Sequence, residues 1–410
     1  MGLSGTWLLY HVAGDAGLVL AAKTMFDALN DYTYLVIPLF VMVGAIMVKG
    51  GVADDLFEFF DSMLGHIPGG VGVAVVLTAA VLAAMSGSSV GVAAAIGPMA
   101  VANLQKRGYS LELSLGLPAS AGGLGILIPP SVGVIAYSAL TGVSPAKMLI
   151  AGVVPGLLCV VLFTAYSMWA CWRTGQGKSV RERRTWSQRW KAFKRAFWAL
   201  SIPVILLGGI YSGITTITEV AAVACVWALI VCMFVYRRMT WRDLLPTLRH
   251  GLSLSAMVMF LIATALLLGN AITVGGVTEI LARALFGHEV PLWAFIVITM
   301  VWLLILGIAL EGASMLFLTI PVVAPLLAGY GYDFIAYGVL YLLNVELSLL
   351  SPPVGLTVQT MERIGRQMGL PLTASTAWRG CIPFFALYVV VMILVAVFPG
   401  LATWLPSTMK

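Results

Sequence analysis

The feature that most restricts this chain is a series of long stretches without a charged residue, at 148–172, 197–218, 252–278, 290–310 and 380–409. A membrane-crossing helix needs about 20 apolar residues, and each stretch reaches that length. Residues 62–105 and 113–146 are also uncharged and are too long for one ordinary span, so part of each must double back. We expect ten to twelve hydrophobic elements. Of 410 residues, 60% are hydrophobic and 10% charged, against about 25% charged in soluble domains. The expectation is an all-α polytopic membrane protein.

The net charge of +6 is concentrated in two places. Arg173, Lys178, Arg181, Arg183, Arg184, Arg189, Lys191, Lys194 and Arg195 fill one loop, 173–195, and Arg237, Arg238, Arg242 and Arg249 fill another, 237–249. Two crossings, 197–218 and 220–236, separate them, so both loops emerge on one side. The positive-inside rule makes that side the cytoplasm. This pattern argues for a bilayer and against nucleic acid as partner. Cys159, Cys171, Cys225, Cys232 and Cys381 lie singly in apolar segments, without the paired spacing of zinc or redox sites. His11, His66, His250 and His288 fall near segment ends, which gives little support for a histidine relay. No cofactor is implied. The first basic residue is Lys23 and Asp15 interrupts the early apolar residues, unlike a signal peptide.

Two halves of the chain share landmarks. Pro98 and Pro321, Gly108 and Gly331, and Pro129 and Pro352 are each 223 positions apart. Gly65-His66 and Gly287-His288 open the repeats at an offset of 222. Each repeat holds a hairpin-length stretch, 75–105 or 299–329, followed by an apolar segment interrupted at Pro-Pro. Proline lacks an amide donor and clashes with the preceding turn. The carbonyls it frees must line a polar cavity, because lipid cannot satisfy them.

The candidate site follows from these breaks. Ser86, Gly87, Ser88 and Ser89 are too polar for lipid, and we place them at a re-entrant hairpin tip. Close small-residue packing between helices would account for them alone. Gly122, Gly123 and Gly125 before Pro129-Pro130 supply a second flexible segment that can face the first. Exposed carbonyls from two such breaks suit a hard monovalent cation. In the second repeat Glu311 stands between two uncharged runs, where an acid costs about 2.5–3.5 kcal/mol. A bound cation would offset that cost, and a protonated acid or a position near the surface would avoid it. Asn344, Glu346 and Ser351, before Pro352-Pro353, offer further oxygens on the second broken segment. Thr216 or Thr218 reads as a helix N-cap with Glu219 in the first turn. Asp54, Asp55 and Glu58 with Leu56, Phe57, Phe59 and Phe60 suggest an amphipathic interfacial helix, with 278–286 as its partner in the second half.

The blocks IPLFVMVG, GHIPGG, MSGSSVGVAAAIGP, KRGYS, GILIPPS, AGVVPGLL, GGIYSGITTITEVAAVA and NVELSLLSPPVGL resemble, in order, the large membrane subunit of TRAP (tripartite ATP-independent periplasmic) transporters, in the ion transporter superfamily. The resemblance covers about residues 37–398. It implies inverted repeats, each with a re-entrant hairpin and a broken helix, moving as an elevator against a fixed scaffold. It implies sodium as the coupling ion, with a first site near Ser86, Ser88 and Gly123 and a second near Glu311, Asn344 and Ser351. The implied cavity also includes Gly87, Ser89, Gly125, Pro129, Pro130, Gly312, Ser314, Pro352 and Pro353. The implied partners are a small membrane permease subunit, a periplasmic substrate-binding protein and a small organic acid substrate. Three departures stand out: Glu311 where the family usually has Asp, Ile217 where proline is common, and no uncharged 20-residue stretch before Leu35.

On this reading residues 1–64 form a membrane scaffold segment with an interfacial helix, and 65–140 the first transport-core repeat. Scaffold helices and the basic loops occupy 141–286, the second core repeat 287–362, and a C-terminal membrane helix 363–410. The expected function is sodium-driven, binding-protein-dependent import of an organic acid across the bacterial inner membrane. A binding-protein-independent sodium- or proton-coupled anion carrier is the nearest alternative. An intramembrane serine enzyme is a remote one, since no His or Lys base is placed to activate Ser86–Ser89.

Overall fold

The computed structural model describes all residues except 178–182, 278, 279, 281–289, 309, 311, 374 and 410. The described residues form helices and no strand. α1 (Gly2–Ala13) and α2 (Asp15–Leu29) precede α3 (Val36–Lys49), which bends by 69° into α4 (Val52–Leu64). Then follow α5 (Gly70–Ser86), α6 (Ser89–Lys106), α7 (Leu111–Gly122), the short α8 (Leu124–Leu127), α9 (Val132–Thr141), α10 (Pro145–Ala151) and α11 (Val153–Thr174). The middle of the chain carries α12 (Trp186–Ser212), α13 (Ile217–Ile230) and α14 (Trp241–Val274). The last third is α15 (Leu292–Gly307), α16 (Gly312–Gly329), α17 (Phe334–Leu350), α18 (Leu356–Gln367), α19 (Thr376–Val397) and α20 (Gly400–Ser407). Six helical stretches among the described residues are long and apolar enough to cross a membrane: Pro145–Thr174, Trp186–Ser212, Ile217–Val235, Trp241–Val274, Gly312–Gly329 and Thr376–Val397.

Both repeats show helix, break, helix. α5 and α6 pack on each other on either side of Gly87 and Ser88, and α15, ending at Gly307, packs on α16, starting at Gly312. These breaks fall inside the expected hairpins. The segment from α7 through α8 bends by 40° into α9 at Pro129-Pro130, and α17 passes into α18 at Pro352-Pro353; both Pro-Pro bonds are cis. α9 ends at Thr141 and α18 runs on to Gln367, so the boundary drawn at 362 cuts a helix. The uncharged run 380–409 is two helices, parted at Phe398 and Pro399.

Capping corrects two sequence boundaries. Thr185 and Gln188 form a reciprocal capping box that starts α12 at Trp186, so Arg189, Lys191, Lys194 and Arg195 are on a helix rather than in a loop. Thr240 and Asp243 start α14 in the same way at Trp241, well before residue 252. His250 therefore lies within a long helix, not near a segment end. Each box satisfies two N–H groups that have no partner inside the helix. Thr216 caps α13 as expected, accepting from the Glu219 N–H at 3.2 Å while Glu219 accepts from the Thr216 N–H at 2.8 Å.

The acidic face of α4 is ion-paired rather than simply solvated. Arg238 reaches Asp55 at 2.7 Å, Arg184 reaches Glu58 at 3.0 Å and Arg107 reaches Asp61 at 3.4 Å. Asp55 and Asp61 are each 5% exposed. One helix thus joins both basic regions, through Arg184 and Arg238, to the end of the first hairpin, through Arg107. This makes α4 a brace as well as an amphipathic element. Its expected partner at 278–286 and the second repeat's opening Gly287-His288 lie outside the described residues, as do Lys178 and Arg181.

Candidate functional site

The first hairpin turns at Gly87, whose φ of 62° is a left-handed conformation that glycine adopts without a Cβ penalty. Ser88 then caps α6, accepting from the Gly91 N–H at 3.2 Å. The tip sits directly on the first break: a Cβ on Gly87 would lie 2.7 Å from the Pro130 carbonyl oxygen, and one on Gly125 would lie 2.8 Å from the Ser88 carbonyl carbon. Glycine at these two positions lets two backbones meet closely enough to share a ligand. Ser86, Gly87, Ser88 and Ser89 at the tip therefore meet Gly125 and the Pro129-Pro130 segment, while Gly123 lies against Glu346 and Tyr388. The buried Ser86 hydroxyl has no hydrogen-bond partner among the described residues.

In the second repeat, Asn344 on α17 donates from Nδ2 to the Met300 carbonyl on α15 at 2.8 Å, while its buried Oδ1 has no partner among the described residues. Ser351 donates to the Leu347 carbonyl at 2.8 Å, leaving its oxygen lone pairs available at the break. Gly312 packs against Val345, where a Cβ would come within 2.5 Å of its side chain. Ser314 is half-buried on α16, and Pro352 and Pro353 are exposed. Glu311 lies outside the described residues.

Glu346 departs from the expected grouping. Instead of facing the second break, it crosses to the first repeat, where its Oε1 accepts from the Ser89 hydroxyl at 2.5 Å. It is fully buried, and its Oε2 has no hydrogen-bond partner among the described residues. Sequence placed it on α17 correctly, but the packing of α17 against the first hairpin decides where it points.

A cavity of about 620 Å³ lies between these elements. Ser86–Gly91 of the first hairpin and Gly312, Ala313, Leu316 and Phe317 of the second line it, with Ile126 and Val132 of the first broken helix and Val345 and Leu349 of the second; Ser314 is not in the lining. Gly44, Lys49, Thr247 and His250, from α3 and α14, close the opposite side. Lys49 also pairs with Asp243 at 3.0 Å. Lys49 and Thr247 were not among the residues singled out by sequence, and His250 was named there only as a histidine near a segment end. No local motif marks them, and only the packing of α3 and α14 brings them to the cavity. The wall is largely apolar with serine hydroxyls and two basic side chains, a combination suited to a small polar anion.

Paired hairpins and broken helices around a central cavity define a multi-pass membrane transporter. Residues 1–401 match the family model of the tripartite ATP-independent periplasmic transporter, DctM component, and the chain belongs to that family. It is 36% identical over 409 residues to a C4-dicarboxylate TRAP transporter large permease protein of Pseudomonas aeruginosa, covering 99% of this chain and 93% of that protein. A Vibrio cholerae protein of the same description is 33% identical over 431 residues, with 99% and 93% covered. Among solved structures, the Alcanivorax borkumensis YdaH transporter superposes with a TM-score of 0.66 at 15% identity, over 96% of this chain and 91% of that one. That last likeness concerns the fold. The chain is therefore a transporter permease and not an enzyme, and its family makes it one component of a tripartite, ATP-independent system.

Proposed function

We propose that the chain is the large subunit of a sodium-driven importer that receives an organic acid from a periplasmic binding protein, works with a small membrane subunit, and moves its cargo by an elevator motion. The single observation that carries this reading is the cavity bounded by both hairpin tips and both broken helices, with α3 and α14 opposite. Those core elements would slide as a unit while α3, α4, α12, α13 and α14 stay fixed, with α4 and its ion pairs bracing the cytoplasmic side of the inner membrane. The unpartnered buried oxygens of Ser86 and Asn344 support sodium as the coupling ion, because oxygen donors freed from internal hydrogen bonds suit a hard cation. On this reading the first cage would use Ser86, Ser88 and Gly123, and the second Asn344 and Ser351 together with Glu311, which lies outside the described residues. Lys49 and His250 face the anionic cargo from the scaffold side. Coupling follows because anionic cages without their ions are costly to carry through a low-dielectric barrier.

The test is uptake into proteoliposomes holding this chain and the small subunit, offered a panel of radiolabelled C4-dicarboxylates and sugar acids bound to the binding protein. An inward sodium gradient is expected to drive uptake, and omission of the binding protein to abolish it. Uptake that persists without binding protein would favour a self-sufficient anion carrier, and uptake driven equally by a proton gradient alone would remove sodium from the scheme.

A further inference from the structure

Glu346 belongs to the second repeat by sequence and to the first by contact. Gly123 and Glu346 are 223 positions apart, so they occupy equivalent places in the two repeats. They face each other: a Cβ on Gly123 would collide with Glu346 Oε2 and with the Tyr388 hydroxyl. One repeat therefore supplies a carboxylate where the other supplies the room for it.

The groups around this carboxylate leave it without a counter-charge. Tyr388 on α19 donates its hydroxyl to the Ser120 carbonyl at 3.0 Å, so that proton is already used. Cys159 on α11 is buried and uncrosslinked. No described Lys, Arg or His forms an ion pair with Glu346. A buried carboxylate with one hydroxyl partner and one bare oxygen is costly unless a cation is near. The hydrogen bond from Ser89 also has a fixed direction. A carboxylate only accepts, so the Ser89 hydroxyl proton points at Glu346 and the lone pairs of Ser89 Oγ point away from it. They remain available beside the tip, where Gly87 meets Pro130 and the Ser86 hydroxyl stands unpartnered.

We propose that Glu346 is a positioning residue of the first cation cage: it orients Ser89 so that Oγ can ligate a hard monovalent cation, and it supplies the negative charge that balances that ion. The inference rests on the sodium reading above and adds a residue from the opposite repeat. It makes the first cage depend on contact between the repeats, so a cation there would hold the halves of the moving core together.

The experiment is thermal unfolding of the purified chain across a sodium titration, with potassium and choline at matched ionic strength, for the wild type, Glu346→Gln and Glu346→Met. The wild type is expected to show a saturable, sodium-specific rise in melting temperature. Glu346→Gln is expected to raise the half-saturating sodium concentration at least tenfold. Glu346→Met fills the same space without a buried charge, so its melting temperature without sodium should equal or exceed that of the wild type while its sodium response is lost. This pairing separates ion positioning from plain structure, for which both variants would melt lower and keep the wild-type sodium response. If either folded variant retains half-saturation within twofold of the wild type, the assignment of Glu346 is overturned. Identical wild-type curves in the three salts overturn the sodium reading itself, and this inference with it.

Discussion

The two repeats keep one skeleton and fill it with different chemistry. At the first break, Gly87 and Gly125 let backbone meet backbone, and Pro129 and Pro130 are buried. At the second, Pro352 and Pro353 are exposed, and side chains do more of the joining: Asn344 bonds to Met300, and Gly307 makes room for Ser348. The exits of the hairpins differ in the same way. Arg107 and Tyr330 stand 223 positions apart. Arg107 donates to the Gly65 carbonyl at 3.3 Å and reaches Asp61, whereas the Tyr330 hydroxyl donates to the Val290 carbonyl at 3.0 Å. Repeats of this kind need equivalent shapes so that both breaks line one cavity. They do not need equivalent side chains, and the divergence lets Glu346 of the second repeat accept from Ser89 of the first.

The largest effect should come from forcing the backbone contact of the first repeat apart. Gly125→Val places atoms against the Ser88 backbone, which has no flexible end to move aside, and sodium-driven uptake should fall at least a hundredfold. In the second repeat the corresponding obstacle to Gly307→Ala is the side chain of Ser348. Adding Ser348→Gly should therefore restore at least half of the uptake that Gly307→Ala removes. The exchange also reproduces the Ala84 and Gly125 found at the equivalent first-repeat positions. Failure of that rescue would show the second repeat to be as rigid as the first.

A smaller difference is expected at the hairpin exits. Arg107→Ala removes a charged hydrogen bond to Asp61, itself 5% exposed, at a cost of about 2 kcal/mol. Tyr330→Phe loses a neutral hydrogen bond worth about 1 kcal/mol. Urea or thermal unfolding of the two variants side by side should give the larger loss for Arg107→Ala; equal losses would mean the two exits are held alike.

The smallest effect concerns the cages without sodium. Ser86→Ala removes a hydroxyl that has no partner and should leave the sodium-free melting temperature unchanged within about 0.5 kcal/mol of stability. Asn344→Ala breaks a bond already made to Met300 and should cost about 1–3 kcal/mol. A lower melting temperature for Ser86→Ala in sodium-free buffer would show that its hydroxyl already has a structural role.

Apolar length, charge placement and the spacing of Pro-Pro and Gly-Tyr landmarks by themselves determined that this chain is helical, crosses a membrane repeatedly and carries two matched breaks. These properties are local, because a bilayer sets the length of a helix and proline disrupts it wherever it stands. The hairpin tip at Ser86–Ser89 and the cap at Thr216 were legible for the same reason. Helix starts hidden under charged residues, at Trp186 and Trp241, were less so, since hydropathy does not register a capping box. Only the tertiary structure decided that α4 pairs with both basic regions, that Lys49 and His250 line the cavity, and that Glu346 meets Ser89 of the opposite repeat. Each depends on which surfaces of distant helices meet, and a side chain three or four positions along a helix points to the same neighbour whatever its distance in sequence. The contact between Ser89 and Glu346 spans 257 positions, and no local pattern in either segment names the other.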